Sequence, residues 1–251
     1  MTPSAPPRLK AIGIAANRAS KDTQAQPSRW WMPGLAVCAI VFVIWARATA
    51  ADPATIGFSL EFPASNPEHY SISVNSGGHA RYESSGRISP DSEERDSYQT
   101  EFEMTPVTRA KIFDLAAQAH YFSKKVDSGN SKLAFTGSKK LIYQDGRDTH
   151  TAEYNYSNVP SVQQLTEIFQ SISSTLEYGR RLAYYHRYQK LALDEELKRM
   201  EVQAKSNELV EIQAVQPVLQ QLYDDTLVMN VVRARAQRLI EMGRSRAGAS
   251  H

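Results

Sequence analysis

Apolar and polar residues alternate from Thr55 to Phe62, with Ile56, Phe58, Leu60 and Phe62 on one face, the period of a half-buried strand. Pro63 and Pro67 interrupt it. Alternation resumes at Tyr70, Ile72 and Val74, passes through Asn75, Ser76, Gly77 and Gly78, and returns at Ala80 and Tyr82. Those four middle residues tolerate positive φ, so the pattern predicts a hairpin. Residues 84–97 are rich in Ser, Asp, Glu and Arg and read as a solvated loop, followed by a strand at Tyr98, Thr100, Phe102 and Met104. Thr105 as N-cap and Pro106 at the first helical position predict a helix to about Phe122 that buries Ile112, Phe113, Ala116 and Ala119.

A second β block follows. Residues 133–136 and 139–144 flank Gly137 and Ser138, and the turn at Asp145 and Gly146 leads to a return strand over 147–156. From 158–161 a helix begins whose apolar residues Val162, Leu165, Ile168, Phe169, Ile172 and Leu176 recur at i, i+3, i+4 spacing. Strands joined by tight turns pair antiparallel, and each helix can cover the apolar face. The expected fold class is α+β: an antiparallel sheet of about six strands packed by two helices over 55–178.

The remaining chain reads as helical. Residues 180–205 hold no Gly or Pro and carry acid–base pairs at Asp194–Lys198 and Glu195–Arg199. Ser206 and Asn207 mark a turn, and shorter helices are predicted over 208–215, 217–223 and 226–242. Asp224, Asp225 and Thr226 offer caps for the last helix and Gly243 its end. Gln189 and Glu196 fall where a coiled-coil seam needs apolar residues, so the region 179–243 is expected to fold back as a helical hairpin before a disordered tail at 244–251.

The N-terminal region has another character. Residues 35–46 are a continuous apolar run, which as a helix rises about 18 Å at about 1.5 Å per residue. A hydrocarbon core is about 30 Å thick, so the run suits a signal-peptide core better than a span. Ala48, Thr49 and Ala50 supply the small-x-small cleavage pattern, with the cut at Ala50. Residues 1–34 then form a long, basic, disordered leader. A single anchor over 30–51, extended by Trp30 and Trp31 with Arg47 at the interface, is the alternative. Either way the body is expected outside the cytoplasm, periplasmic or secreted in the first case and held at the inner membrane in the second.

Charge and cysteine sharpen that picture. Residues 1–50 hold six basic residues against one acidic, and 233–251 hold five against one, while 51–232 hold 18 against 25. The body is acidic despite the net charge of +2, which argues against a nucleic-acid surface. The one cysteine, Cys38, lies within the apolar run, so a cleaved chain has no disulfide and no thiol nucleophile. Val37 is too large for the residue before a lipidated cysteine.

The expected chemistry is mostly negative. No two of His69, His79, His120, His150, His186 and His251 lie two or four residues apart, so no zinc motif is present. Nucleophile elbows and phosphate loops are missing, and Glu101 and Glu103 read as solubilising charges on a strand. No catalytic residue, cofactor or metal ligand is assigned. The richest composition lies at 178–190. There Tyr178, Leu182 and Tyr185 share one helix face, and Tyr184, Tyr188 and Leu191 share another, as in a helix sandwiched between layers. Tyr184, Arg187 and Tyr188, with Arg235 and Arg238 of the basic C-terminus, are the candidate interaction surface. The arginines also suit a helix C-terminus or an anionic lipid surface.

From about Tyr70 to Leu176 the chain resembles uncharacterised bacterial extracytoplasmic α+β domains. The shared features are Tyr70, Ile72 and Val74, Gly77 and Gly78, Arg81 and Tyr82, the helix start at Met104, Thr105 and Pro106, and the end at His120, Tyr121 and Phe122. The paired cysteines usual near the first hairpin of such domains have no counterpart here, and the resemblance implies no activity. The functional expectation is an exported bacterial envelope protein, a non-enzymatic interaction or structural module that binds another envelope protein or itself. The alternative is a small-ligand binder or hydrolase with a pocket between sheet and helical hairpin, lined by Tyr143, Tyr154 and Tyr156.

Overall fold

The computed structural model describes residues 53–88, 94–130, 132–146 and 148–248. The leader, the apolar run with Cys38, the cut at Ala50 and the alternative anchor over 30–51 lie outside the described residues. Among the described residues, no helix is long and apolar enough to cross a membrane.

Six strands form one antiparallel sheet: β1 (Thr55–Glu61), β2 (His69–Asn75), β3 (His79–Arg87), β4 (Arg95–Glu103), β5 (Ser138–Asp145) and β6 (Asp148–Tyr154). Their order is β4-β3-β2-β1-β5-β6, with β1 joining the two hairpin blocks. Ile56, Phe58, Leu60, Tyr70, Ile72, Val74, Tyr82 and Leu141 are buried on the inner face, while their neighbours carry serine and charge, the alternation that a one-sided sheet demands. Gly78 and Gly146 take positive φ in the two expected turns.

The inner face is covered by α1 (Pro106–Gln118) and α2 (Pro160–Tyr188). Thr105 caps α1 as read, its Oγ1 accepting from the Thr108 N–H. On α2, Val162, Leu165, Phe169, Ile172 and Leu176 are buried, and Phe169 stacks on Phe58 with centroids 5.2 Å apart. The α+β reading therefore stands.

Several boundaries differ, each for a local reason. The loop over 84–97 is shorter than expected, because β3 runs to Arg87 and turns Ser84 inward toward α2. Residues 133–136 form no strand. The Asn155 side chain captures them instead, accepting from the Thr136 N–H at 2.9 Å and donating to the Ala134 carbonyl at 3.1 Å. Helix α1 stops at Gln118, and His120, Tyr121 and Phe122 then take positive φ in succession. Left-handed backbone costs about 1–2 kcal/mol per residue. Here it drives Phe122 into the core and lays Tyr121 on Tyr143, centroids 4.4 Å apart.

The largest departure is that α2 runs for 29 residues, straight through the expected boundary at 178 and 179. It ends at Tyr188, and a 3-10 turn over 190–192 separates it from α3 (Leu193–Lys205). Of the helix expected over 208–215 only a 3-10 turn at Ile212–Val215 forms, leading into α4 (Gln216–Asp224). The last helix, α5 (Asn230–Gly248), starts later than expected, passes through Gly243, and extends into the supposed tail. Asp225 caps no helix: its Oδ1 accepts from the Leu227 N–H in the connecting turn. The C-terminal region is helical as expected, with three α-helices where four were read.

Both interior glycines serve one contact. The connector 208–215 crosses α2 along Ser171, Thr175 and Gly179, which recur every four residues and so share a face. Ser171 Oγ accepts from the Val210 N–H at 2.9 Å, and Thr175 Oγ1 donates to the Val210 carbonyl at 2.7 Å. A Cβ on Gly179 would lie 2.5 Å from Val215 Cγ1, and one on Gly243 would lie 3.3 Å from the Gln213 nitrogen. Alanine favours a helix interior by about 1 kcal/mol over glycine, but overpacking costs about 1–3 kcal/mol. Gly179→Ala is therefore expected to lower stability by about 1 kcal/mol in urea unfolding. A gain in stability would show that the connector does not press on α2.

Candidate interaction surface and cleft

Helix α2 is apolar on two faces near its end, yet only one is covered. Tyr178, Leu182 and Tyr185 are buried. Tyr184 is half-buried, while Tyr188 is 64% exposed and Leu191, just past the helix, 85%. The expected sandwich is therefore one-sided. The Tyr184 and Tyr188 rings lie 5.1 Å apart, and the Arg187 guanidinium sits 5.6 Å from the Tyr188 centroid. Across a hollow from the two tyrosines stand Ile88, Arg95 and Asp96 at the ends of β3 and β4. Asp225 fixes this end of α2 by pairing at 2.8 Å with both His186 Nε2 and Lys190 Nζ. Lys190 first, then His186, holds its carboxyl well below the usual range.

The other two predicted surface residues lie elsewhere and are engaged in ion pairs, Arg235 half-buried and Arg238 exposed. Arg235 Nη1 donates to Glu201 Oε2 at 2.8 Å and its Nε to Asp194 Oδ1 at 2.8 Å, while Arg238 Nε reaches Glu201 Oε1 at 2.9 Å. Lys205 adds a third cation to the buried Glu201. Arg246 donates to the Leu209 carbonyl at 2.9 Å and to that of Ala204, closing the end of α3. Arg233 donates to the Tyr223 carbonyl at 2.8 Å. Four of the five C-terminal arginines thus make hydrogen bonds within the fold.

A polar layer lies between sheet and α2. Glu177, only 4% exposed, accepts from Tyr82 Oη at 2.9 Å and Ser84 Oγ at 2.6 Å through Oε1, and faces Arg180 Nη1 at 3.4 Å through Oε2. Burial, and then the Glu177 charge, push the Tyr82 hydroxyl far up, so it remains a donor. This satisfied network orients α2 on the sheet.

Of the three tyrosines expected around a pocket, Tyr154 and Tyr156 line a cleft of about 420 Å³. Its walls are β5, β6 and the first turns of α2, not the C-terminal helices. Tyr143 belongs instead with Tyr121 and His150 further along the sheet. Sequence reading missed Lys139, which lines the cleft at 5% exposure. Its signal was parity, because residue 139 falls on the same strand face as Leu141. Lys139 Nζ lies 3.2 Å from the Thr136 carbonyl, 2.9 Å from Thr136 Oγ1, 3.4 Å from the Gly137 carbonyl and 2.9 Å from the Asn155 carbonyl. Burial pulls its pKa down. Among the described residues, no group of His, Cys, Asp and Glu is placed to hold a metal ion.

The Glu201 cluster gives a pH prediction. Hydrogen bonding from Arg238, helped by Lys205 and Arg235 and opposed by burial, lowers the carboxyl from 4.5 to about 2. A depressed folded-state pKa stabilises above the unfolded value, and that stability is lost as pH falls. Glu201→Gln should cost about 2 kcal/mol at pH 7, the scale of hydrogen bonds to a charged group, and the gap from the unsubstituted protein should close between pH 4.5 and about 2. Urea titrations at stepped pH measure this, and a pH-independent gap would contradict it.

No protein-family model matches the chain, and comparison with curated proteins finds no significant match.

Proposed function

We propose that this chain is an exported, non-enzymatic bacterial envelope protein that binds another protein through the end of α2. The observation that carries the reading is the uncovered second face of that helix, where Tyr188 and Leu191 stand exposed beside Tyr184 and Arg187. Tyrosine and arginine anchor interfaces well, giving large contact area with few rotatable bonds. The pairing of Asp225 with His186 and Lys190 holds this ledge in place before any partner arrives, which lowers the ordering cost of binding. Export rests on the apolar run at 35–46 and the small residues before position 51. Arg235 and Arg238 pair with Glu201 on the C-terminal helices, so the proposed ledge consists of Tyr184, Arg187, Tyr188 and Leu191.

A photo-crosslinking residue placed at Tyr188, with a control at Glu153 on the sheet, tests this in intact cell envelopes. The expected result is a saturable, discrete protein adduct from position 188 that Leu191→Ser reduces at least fivefold, a loss of about 1 kcal/mol, with none from position 153. No adduct at 188, or equal labelling from both positions, would overturn the reading.

A further inference from the structure

Lys139 presents an electrostatic gap. Its ammonium is buried, and every hydrogen-bond partner is a neutral oxygen: two carbonyls and a hydroxyl in 136–137 and the carbonyl of Asn155. Among the described residues no carboxylate lies within 4.0 Å of it. Neutral dipoles replace lost hydrogen bonds, but they do not cancel a charge, and a buried cation is normally paired. The next lysine shows the contrast: Lys140 points to the outer face and pairs with Glu153 at 3.3 Å.

The uncompensated charge adjoins the cleft of about 420 Å³. Donors beside it are orientated by the fold. Thr166 Oγ1 donates to the Val162 carbonyl at 2.7 Å, so at 2.6 Å it accepts from Tyr154 Oη, which fixes that phenol. Gln163 Nε2 donates to Tyr156 Oη at 2.9 Å, leaving the Tyr156 proton free to point into the cleft. The one carboxylate lining the cleft, Glu167, is exposed on α2.

We propose that this cleft is a binding site for a small oxyanion, a carboxylate or a phosphate, which supplies the counter-charge that the fold withholds from Lys139. The ligand's oxygens would accept from Tyr156 and sit close enough to the ammonium to pair with it, while Glu167 at the rim limits affinity. The site is independent of the α2 ledge and of any partner bound there.

Binding to the charged form must raise the Lys139 pKa by linkage. The full chain, with lysines carrying ¹³C at Cε, is titrated with pH alone and then with citrate, inorganic phosphate or methyl glucoside. Citrate or phosphate should saturate the Lys139 signal with a dissociation constant of about 1 mM or tighter and raise its pKa by about one, a tenfold preference for the protonated lysine. The two anions distinguish a carboxylate from a phosphate ligand, and the neutral sugar should leave the signal unmoved. Glu167→Gln, an exposed change that spares folding, should tighten anion binding severalfold, and Lys139→Met should abolish it. No saturable shift with either anion, a response to the sugar instead, or anion binding unchanged in Glu167→Gln would overturn the proposal.

Discussion

The connector 208–215 lies in the groove that Ser171, Thr175 and Gly179 leave on α2, and the architecture depends on that contact. Where α2 offers only small side chains, a backbone segment can approach and exchange hydrogen bonds with the serine and threonine hydroxyls. Gly243 admits the same turn to α5. Glu211, at positive φ within the connector, reaches further: its carboxylate accepts the Thr105 N–H at 2.9 Å and the Thr105 hydroxyl at 2.6 Å. A residue of the helical region thus helps cap the first helix of the sheet layer. One short segment joins α1, α2 and α5, so sheet and C-terminal helices are parts of one body.

That arrangement explains why α2 is so long. Its first half carries the apolar stripe that the sheet requires. Its second half carries Tyr178, Leu182 and Tyr185 for α3 and α4, and the polar layer around Glu177 sets its orientation between the two. Beyond the helical packing the helix still has one apolar face left, and there the tyrosine ledge begins. At the opposite end, the first turns of α2 face the start of β5 and the end of β6 and form the cleft beside Lys139. A single helix therefore places both candidate sites, at opposite ends, with the core between them.

The strands, the two glycine turns and the Thr105 cap were legible because each is encoded within a few neighbouring residues. What escaped was encoded across the fold. Gly243 resembled a helix end because glycine is a poor helix former, and only the presence of Val215 beside Gly179 and of Gln213 beside Gly243 shows why a side chain is excluded. The ion pairing of Arg235 and Arg238 was hidden because their partner Glu201 lies more than 30 residues away in sequence. Residues 133–136 had strand composition but lost their pairing to the side chain of Asn155. Lys139 was hidden by the habit of reading lysine as exposed, although its parity in β5 placed it inside.

The α2 groove binds sheet and helices into one cooperative unit. Native-state hydrogen exchange at Ile72 in β2, Leu182 in α2 and Leu239 in α5, all buried, tests it most directly. One unit predicts that the three amides open with the same free energy, equal to that of global unfolding. Exchange at Leu239 through a lower-energy opening, while Ile72 and Leu182 stay protected, would show that the helical region unfolds alone and would contradict the account.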